Sequence, residues 1–296
     1  MSSYLIAVTT QIGIYGLLTL SLSLQYGYTG LINFGQVGFY AIGAYAAALL
    51  GTALGWGPWG SLAAAALFAA VAAVPIGLLT LRLREDYLAI VTLGFAEVVR
   101  LTIVAEDWLT NGTAGISGIA RPFAALGVGI ERDLAFLALI LVALVLVAVG
   151  LGVIVRSPFG RIVKAIRDDE DAVRVLGKEP FVPRIKVLCL GAAIAGFAGG
   201  LQAQYIGYVG PDQFISYVTF IIWIAMIIGG TRSFLGAIVG AGVVLLFLEG
   251  SRFLRDELPD ISETALASAR LAIVGLALIL TMLYRPGGLV GGKDAR

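Results

Sequence analysis

The largest polar segment of the chain reads Arg156-Ser-Pro-Phe-Gly-Arg-Ile-Val-Lys-Ala-Ile-Arg-Asp-Asp-Glu-Asp-Ala-Val-Arg-Val-Leu-Gly177 and continues to Lys186. Ser157 and Pro158 predict the start of a helix, because a serine side chain caps free backbone amides and proline fits the first helical turn. Gly177 predicts its end, since glycine favours the left-handed conformation that closes many helices. Apolar residues recur at helical spacing between these limits, which predicts one short amphipathic helix whose apolar face holds Phe159, Ile162, Val163 and Ile166.

The composition around this segment is that of a membrane protein. Of 296 residues, 59% are hydrophobic and 13% are charged, which is about half the charged share of a soluble domain. No Asp, Glu, Lys or Arg precedes Arg82. Residues 4–24 have neither a basic flank nor a cleavage pattern, so we interpret them as a retained span and not as a signal peptide. The sequence therefore predicts an all-α, polytopic transmembrane bundle that forms a single domain over residues 1–296.

Apolar segments long enough to be spans recur along the chain, at about 20 residues per crossing. We expect about eight to ten spans, one of them a broken or glycine-rich helix near the N-terminus. The candidate segments are 4–24, 30–53, 61–81, 87–105, 134–155, 187–206, 216–231, 234–250 and 270–285.

The distribution of basic residues predicts the orientation, because cytoplasmic loops carry an excess of Lys and Arg. With the loop 156–186 in the cytoplasm, alternation of the spans places most of the 20 basic residues on the same side. That side would include Arg82, Arg84, Arg232 and the C-terminal tail. The outer loops would be 106–133 and 251–269, which are rich in Asp and Glu. We expect a cytoplasmic C-terminus and, with nine spans, an outer N-terminus.

The second candidate span carries polar side chains among closely spaced glycines. It includes Asn33 and Gln36, whose amides would be costly against lipid and should face protein or water. Glycine-interrupted helices often form the midplane sites of transporters. Close helix packing with the amides satisfied by neighbours is the alternative, and the two interpretations are compatible.

The fourth candidate span carries an acid and a base three residues apart, Glu97 and Arg100. Residues at this spacing share a helix face, and charges within a membrane are functional candidates because they are costly there. A local ion pair that neutralises itself and packs against another helix is the alternative.

Motifs for chemistry are missing from the sequence. The Gly177-Lys178 pair does not belong to a phosphate-binding loop, and no dinucleotide fingerprint, nucleophile elbow or zinc-protease motif occurs. The chain has no His and one Cys, Cys189, in an apolar run. Disulfides, metal sites and His-based catalysis are therefore not expected. We expect a non-enzymatic protein, so any ATP would have to be bound by another chain.

Four parts of the sequence together carry a resemblance to a known family. The first reads Gly30-Leu-Ile-Asn-Phe-Gly-Gln-Val-Gly-Phe-Tyr-Ala-Ile-Gly-Ala-Tyr45, and the others are 82–97, 157–177, and 207–214 together with 228–231. With these segments, which match in order over nearly its whole length, the chain resembles the M-type permease subunit of branched-chain amino-acid (LIV-type) ABC importers. One departure is Glu85, where the family has glycine.

The resemblance implies a heteromeric importer in a bacterial inner membrane. Its implied partners are a homologous second permease, two cytoplasmic ATPases that bind ATP and Mg, and a periplasmic substrate-binding protein; no cofactor would be bound by this chain. Substrate would pass between the two permeases, along a path lined or supported by Asn33, Gln36, Glu97 and Arg100. The polar loop corresponds to the coupling loop, with an apolar anchor and a polar rim that suit a groove of an ATPase. The implied contact residues are Phe159, Arg161, Ile162, Lys164, Ile166, Arg167, Asp168, Asp171, Arg174 and Gly177.

Three alternatives stay open from the sequence. Relatives with this pattern are also linked to urea, short amides and other amino acids, and no residue discriminates between these substrates. A gradient-driven secondary transporter that uses Glu97 as an ion site is a different class. A membrane scaffold without transport is a third, which the glycine-rich broken helices disfavour.

Overall fold

The computed structural model describes residues 2–80, 85–251 and 263–290, and most of them are helical. Arg82, Arg84, Lys293 and Arg296 lie outside these ranges, whereas Arg285 of the tail lies within them. The helices are α1 (Ser2–Leu22), α2 (Gln36–Thr52), α3 (Pro58–Thr80), α4 (Glu85–Ala105), α5 (Asp107–Thr110), α6 (Ile130–Arg156), α7 (Pro158–Asp168), α8 (Glu170–Val175), α9 (Phe181–Ile206), α10 (Ser216–Gly229), α11 (Phe234–Gly250) and α12 (Glu263–Tyr284). A π-helical turn, Ser23–Gly27, continues α1.

The predicted all-α bundle is confirmed, because each candidate span contains one of these helices. Five helices within the described ranges are long and apolar enough to cross a membrane. They are Ser3–Gly27, Pro58–Thr80, Tyr87–Ala105, Ile130–Arg156 and Phe181–Ile206. Three shorter apolar helices follow, Ser216–Gly229, Phe234–Gly250 and Ser268–Tyr284.

Helix boundaries differ from the predicted ones at the second and last spans and at the end of the polar loop. The second helix begins at Gln36 and not near residue 30, since residues 30–35 are irregular. The last helix begins at Glu263, so the predicted loop 251–269 is shorter than expected; its residues 252–262 lie outside the described ranges. The loop 156–186 ends early as well, because α9 begins at Phe181.

The polar segment forms two helices, so the prediction of one helix up to Gly177 was wrong. Ser157 caps α7 as expected, its Oγ accepting from the backbone N–H of Gly160 at 3.3 Å. The chain then becomes extended at Asp169, whose carboxylate accepts from the N–H of Ala172 at 2.9 Å and caps α8. Aspartate is a strong N-cap residue, so a second helix start competes with continuation of the first. Gly177 follows α8 in the left-handed conformation, at φ 73°.

Helix α9 lies at the centre of the bundle, between α2 and α3 on one side and α1 on the other. Gly196 of α9 meets Gly43 of α2 so closely that a Cβ on Gly43 would overlap its backbone. Small residues of this kind hold helices together in membranes, where lipid removes the hydrophobic drive for helix association. Helices α6, α10 and α11 complete the packing around α1, and α4 packs beside α2.

The two ends of the bundle differ in structure. One end carries α7 and α8, between the spans α6 and α9, and is called here the α7 end. The opposite end carries a two-stranded antiparallel pair, in which Ile116–Ser117 (β1) pairs with Tyr208–Val209 (β2). This pair ties the loop between α4 and α6 to the end of α9.

Candidate functional site

A cluster of side-chain amides fills the break between α1 and α2. The amide of Asn33 donates to Gln25 Oε1 at 2.8 Å and to Gln36 Oε1 at 3.2 Å, and Gln25 Nε2 donates to Gln36 Oε1 at 3.1 Å. Gln36 Nε2 donates to Ser21 Oγ at 2.6 Å, and that hydroxyl donates to the carbonyl of Gly191 in α9 at 2.7 Å. The four side chains are buried. We call Ser21, Gln25, Asn33 and Gln36 the amide cluster.

Side chains from other helices satisfy the backbone of the break. The N–H of Phe34 donates to Thr92 Oγ1 of α4 at 3.0 Å, and the N–H of Val37 donates to Thr219 Oγ1 of α10 at 3.1 Å. Trp223 Nε1 donates to the carbonyl of Asn33 at 3.1 Å. Unpaired backbone groups are costly in a membrane, so these contacts allow a non-helical segment at this depth.

The amide cluster places Asn33 and Gln36 inside this chain and away from its surface. In this conformation the two amides support the irregular segment between α1 and α2, and they do not line an open substrate path. Sequence reasoning missed their partner Gln25, and it missed Thr92 and Thr219, which accept from the backbone N–H groups of Phe34 and Val37. A glutamine in the apolar run of α1 was a usable indication, whereas the two threonines resemble ordinary helix residues that bond their own preceding turn.

The ion pair predicted in α4 forms, with Arg100 Nε donating to Glu97 Oε1 at 3.0 Å and to Oε2 at 3.1 Å. Its environment differs from that of the amide cluster, because the side chain of Glu97 is 41% exposed and that of Arg100 is 24% exposed. The carboxylate of Asp212, in the turn before α10, also acts on Arg100 electrostatically. The pair therefore neutralises itself locally and still opens onto the outside of the chain.

Aromatic side chains of the break between α1 and α2 and of α10 pack together. The ring of Phe34 stacks on Trp223 with centroids 4.9 Å apart and lies 5.5 Å from the exposed Phe220. Phe34 is anchored to α4 through its N–H to Thr92. The break is thus lined by aromatic rings where it approaches the surface of the chain.

Helix α7 packs its apolar face onto the bundle. Val163 and Ile166 are buried, and Phe159 and Ile162 are half-buried. Gly160 lies against the carbonyl of Val155 at the end of α6. The predicted apolar anchor is therefore largely covered by this chain itself, with Ile166 fully so.

Ion pairs join α8 to α9 and α7 to the turn before α11. The carboxylate of Glu170 accepts from Arg174 at 2.6 Å and from Arg184 of α9 at 2.6 Å. Asp168 lies 3.8 Å from Arg232, in the turn between α10 and α11. Arg161, Lys164 and Asp171 are exposed. The remaining predicted rim residue, Arg167, donates to the carbonyl of Gly27 at the end of α1.

The tip of α8 exposes two aliphatic side chains that sequence reasoning did not select. Val175 is 87% exposed and Leu176 is 79% exposed, directly before Gly177. Their position at the end of a charged segment can be seen in the sequence. A single helix up to Gly177 would not, however, have set them apart from its other exposed residues. We call Val175 and Leu176 the α8 tip.

The turn after α1 brings Tyr28 beside basic groups of α7. Its hydroxyl donates to the carbonyl of Arg232 at 2.7 Å, and Lys164 Nζ lies 5.7 Å from its ring centroid. Burial raises the pKa of Tyr28, while Arg156 and Arg167 act in the opposite direction. Burial also lowers the pKa of Arg167, helped by the positive charge of Arg232. The α7 end therefore concentrates positive charge against the bundle.

Comparisons with known proteins identify the family. A family model described as "Branched-chain amino acid transport system / permease component" matches residues 4–283. The chain belongs to this permease family. It is 36% identical to the high-affinity branched-chain amino acid transport system permease protein LivM of Salmonella typhimurium and to that of Escherichia coli, over 96% of this chain and 69% of each relative. The E. coli permease protein LivH is 27% identical, over 95% of this chain and 92% of that protein.

The family membership agrees with the resemblance found from sequence motifs. The higher identity to LivM than to LivH supports an M-type permease. The chain is thus a multi-pass membrane permease of the branched-chain amino-acid transport family. No solved structure matches the chain.

Proposed function

We propose that the chain is one permease subunit of an ATP-driven importer of branched-chain or related amino acids in a bacterial inner membrane. Its partners are a homologous second permease, two separate ATPases that bind ATP and Mg, and a periplasmic binding protein. The α7 end and the C-terminus face the cytoplasm. Family membership and the names of the relatives, which specify branched-chain amino-acid transport, support this proposal.

The observation that carries the coupling proposal is the exposed α8 tip on a helix pair that is fixed to the bundle. The apolar face of α7 is buried against the spans, and Glu170 joins α8 to α9 through Arg184. A push on the α8 tip would therefore be passed to α6 and α9 instead of being absorbed by a loose loop. Exposed aliphatic side chains with a charged surround suit an interface core with a polar rim.

Substitution of the α8 tip tests the coupling. In the assembled complex, Val175→Asp with Leu176→Asp should abolish co-purification of the ATPases and ATP-driven uptake, because carboxylates would enter an apolar contact. The matched control is Val128→Asp, which changes a valine 93% exposed at the opposite end of the bundle. Unchanged assembly and uptake in the double variant would exclude this surface as the coupling contact. Uptake by the chain alone under an ion gradient would instead support the gradient-driven alternative.

The Glu97–Arg100 pair is the feature that we propose to face the transport path and the second permease. A half-exposed ion pair in a membrane helix is costly against lipid, so water or protein should cover it. In a Cys189→Ala background, Glu97→Cys should react with a membrane-impermeant thiol reagent in the assembled complex, and substrate should slow the reaction. Val98→Cys, also exposed on α4, is the comparison position. Equal reactivity at both positions, without substrate protection, would contradict the assignment of a path.

The substrate itself requires a separate experiment on the binding protein, because selection precedes the permease in this type of importer. A thermal-shift screen of the cognate binding protein with leucine, isoleucine, valine, urea and short amides should give the largest stabilisation with a branched-chain amino acid. If only urea or an amide stabilises the binding protein, the importer transports that class of substrate, and the proposal of branched-chain amino acids is wrong.

A further inference from the structure

A cavity of about 420 Å³ opens at the α7 end of the bundle. It lies between the last turn of α6, helix α7 and the turn that joins α10 to α11. Its lining residues are Tyr28, Gly152, Val155, Arg156, Lys164, Arg167, Asp168, Arg232 and Phe234. We call it the basic pocket. It is separate from the amide cluster and from the α8 tip.

The basic pocket holds more positive charge than its own acid neutralises. Four of its lining side chains are basic and one, Asp168, is acidic. Asp168 approaches Arg232 only to 3.8 Å, which is longer than a charge-assisted hydrogen bond. Among the described residues, Arg156 and Lys164 make no ion pair. An anion bound in this pocket would offset the electrostatic repulsion between the four cations.

Apolar stripes run from the pocket along the two helices beside it. On α6, exposed aliphatic residues repeat at helical spacing and end at Arg156; they are Val142, Val145, Leu146, Val149 and Val153. On α11, the exposed residues begin one position after Phe234; they are Leu235, Val239, Val243 and Leu246. Exposed aliphatic stripes on membrane helices face acyl chains. Arg156 is the last residue of the candidate span Ile130–Arg156, so the cations of the pocket lie at the end of that span.

We infer that the basic pocket binds the phosphate group of an anionic phospholipid, with its acyl chains along the exposed stripes of α6 and α11. Basic pockets between transmembrane helices are suited to acidic headgroups, and the ligand chemistry is a phosphodiester anion. The dimensions of the pocket admit a headgroup, and Tyr28 and Phe234, with ring centroids 4.8 Å apart, form an apolar wall beside the cations.

Such a lipid would join parts of the chain that are distant in sequence. Arg156 and Lys164 belong to α6 and α7, whereas Arg232 belongs to the turn between α10 and α11. A bound phosphate would hold α7 against that turn. The inference does not depend on ATP coupling, because it needs only that the α7 end lies at a membrane surface.

The test measures lipid binding by the purified full chain. Vesicles of phosphatidylcholine alone are compared with vesicles that contain phosphatidylglycerol, and the melting temperature and the bound phosphatidylglycerol are measured. Arg156→Gln with Lys164→Gln should weaken phosphatidylglycerol binding about fivefold for each charge removed. The matched control is Lys178→Gln, an exposed base of the same loop outside the pocket, which should bind as the original chain does. The melting temperature in phosphatidylcholine checks that each variant is folded.

Each further outcome overturns the inference. Equal binding by the double variant and the Lys178→Gln control would exclude a site. Saturable binding of inorganic phosphate with no preference for phosphatidylglycerol would assign the pocket to a free anion. If the double variant keeps full lipid binding but loses the ATPases on purification, the cations belong to a protein interface and not to a lipid site.

Discussion

Two polar regions within the membrane helices of this chain, the amide cluster and the Glu97–Arg100 pair, differ in their hydrogen-bond partners and in their exposure. The amide cluster lies inside the bundle, and its side chains bond to one another and to the carbonyl of Gly191. The Glu97–Arg100 pair is bonded only within itself and is partly exposed. Amides carry both donors and acceptors and can close a network within one chain. The charges of an exposed ion pair remain open to another molecule. The first region therefore belongs to the fold, and the second is the one that we propose to face a partner or a path.

Removal of an amide should have the largest effect on stability. Gln36→Leu removes, in a buried site, the oxygen that accepts from Gln25 and Asn33 and the N–H that donates to Ser21, so each of these three side chains loses one of its hydrogen bonds. We expect a loss of about 3 kcal/mol in the free energy of unfolding, measured by thermal unfolding of the purified chain in detergent.

A double-mutant cycle with Asn33→Leu is the control for that prediction. The two losses should be strongly non-additive, since both residues belong to one network. Additive losses would mean that the two amides do not act as a unit, which would contradict the description of the amide cluster as one network.

Loss of a hydroxyl at the break should have a smaller effect. Thr92→Val removes the acceptor of the Phe34 N–H and should cost about 2 kcal/mol, because a buried backbone donor loses its partner. Thr102→Val is the matched control on the same helix, at an exposed position. Equal unfolding temperatures of the two variants would show that the break does not need α4.

A still smaller effect is expected at Tyr28, where the break meets the turn before α11. Tyr28→Phe should cost about 1 kcal/mol, because it removes the hydrogen bond to the carbonyl of Arg232. Tyr87→Phe, at an exposed tyrosine, is the control.

The same pair of variants gives a pH dependence. The raised pKa of Tyr28 means that its stabilisation is complete below the ordinary tyrosine pKa of about 10 and is lost as pH rises towards the folded-state pKa. The difference in melting temperature between the original chain and Tyr28→Phe should therefore be constant at neutral pH and shrink only as the pH rises above about 10. A constant difference would contradict the burial of this hydroxyl.

The smallest effect on stability is expected at the ion pair. Glu97→Gln should change the free energy of unfolding by less than about 1 kcal/mol, as partly exposed pairs do, yet it should reduce uptake by the assembled importer. The charge-swapped variant, Glu97→Arg with Arg100→Glu, is the discriminating control. If the swap restores uptake, the pair is a local structural one, and its proposed role in the transport path is wrong.

The sequence predicted the positions of the helices well because each candidate span is a run of apolar residues, and five of the described helices are also long enough to cross a membrane. It also predicted the cap at Ser157, where side-chain chemistry acts within three residues. It did not predict the second helix start at Asp169, because an aspartate within an acidic run has the same local pattern whether it caps or continues a helix. The contacts within the amide cluster could not be predicted either, since Gln36 and Ser21 meet only because the irregular residues 30–35 bring the start of α2 to the end of α1.

The contacts at the break also impose an order on folding. The hydroxyl of Ser23 donates to the carbonyl of Thr231, and that of Tyr28 donates to the carbonyl of Arg232, across separations of 208 and 204 residues. During synthesis, α1 and α2 emerge long before α10 and α11, so the hydroxyls of Ser23 and Tyr28 stay without these partners while most of the chain is made. The N-terminal helices must therefore wait in the membrane in an incomplete state, and only the arrival of α10 and α11 closes the structure.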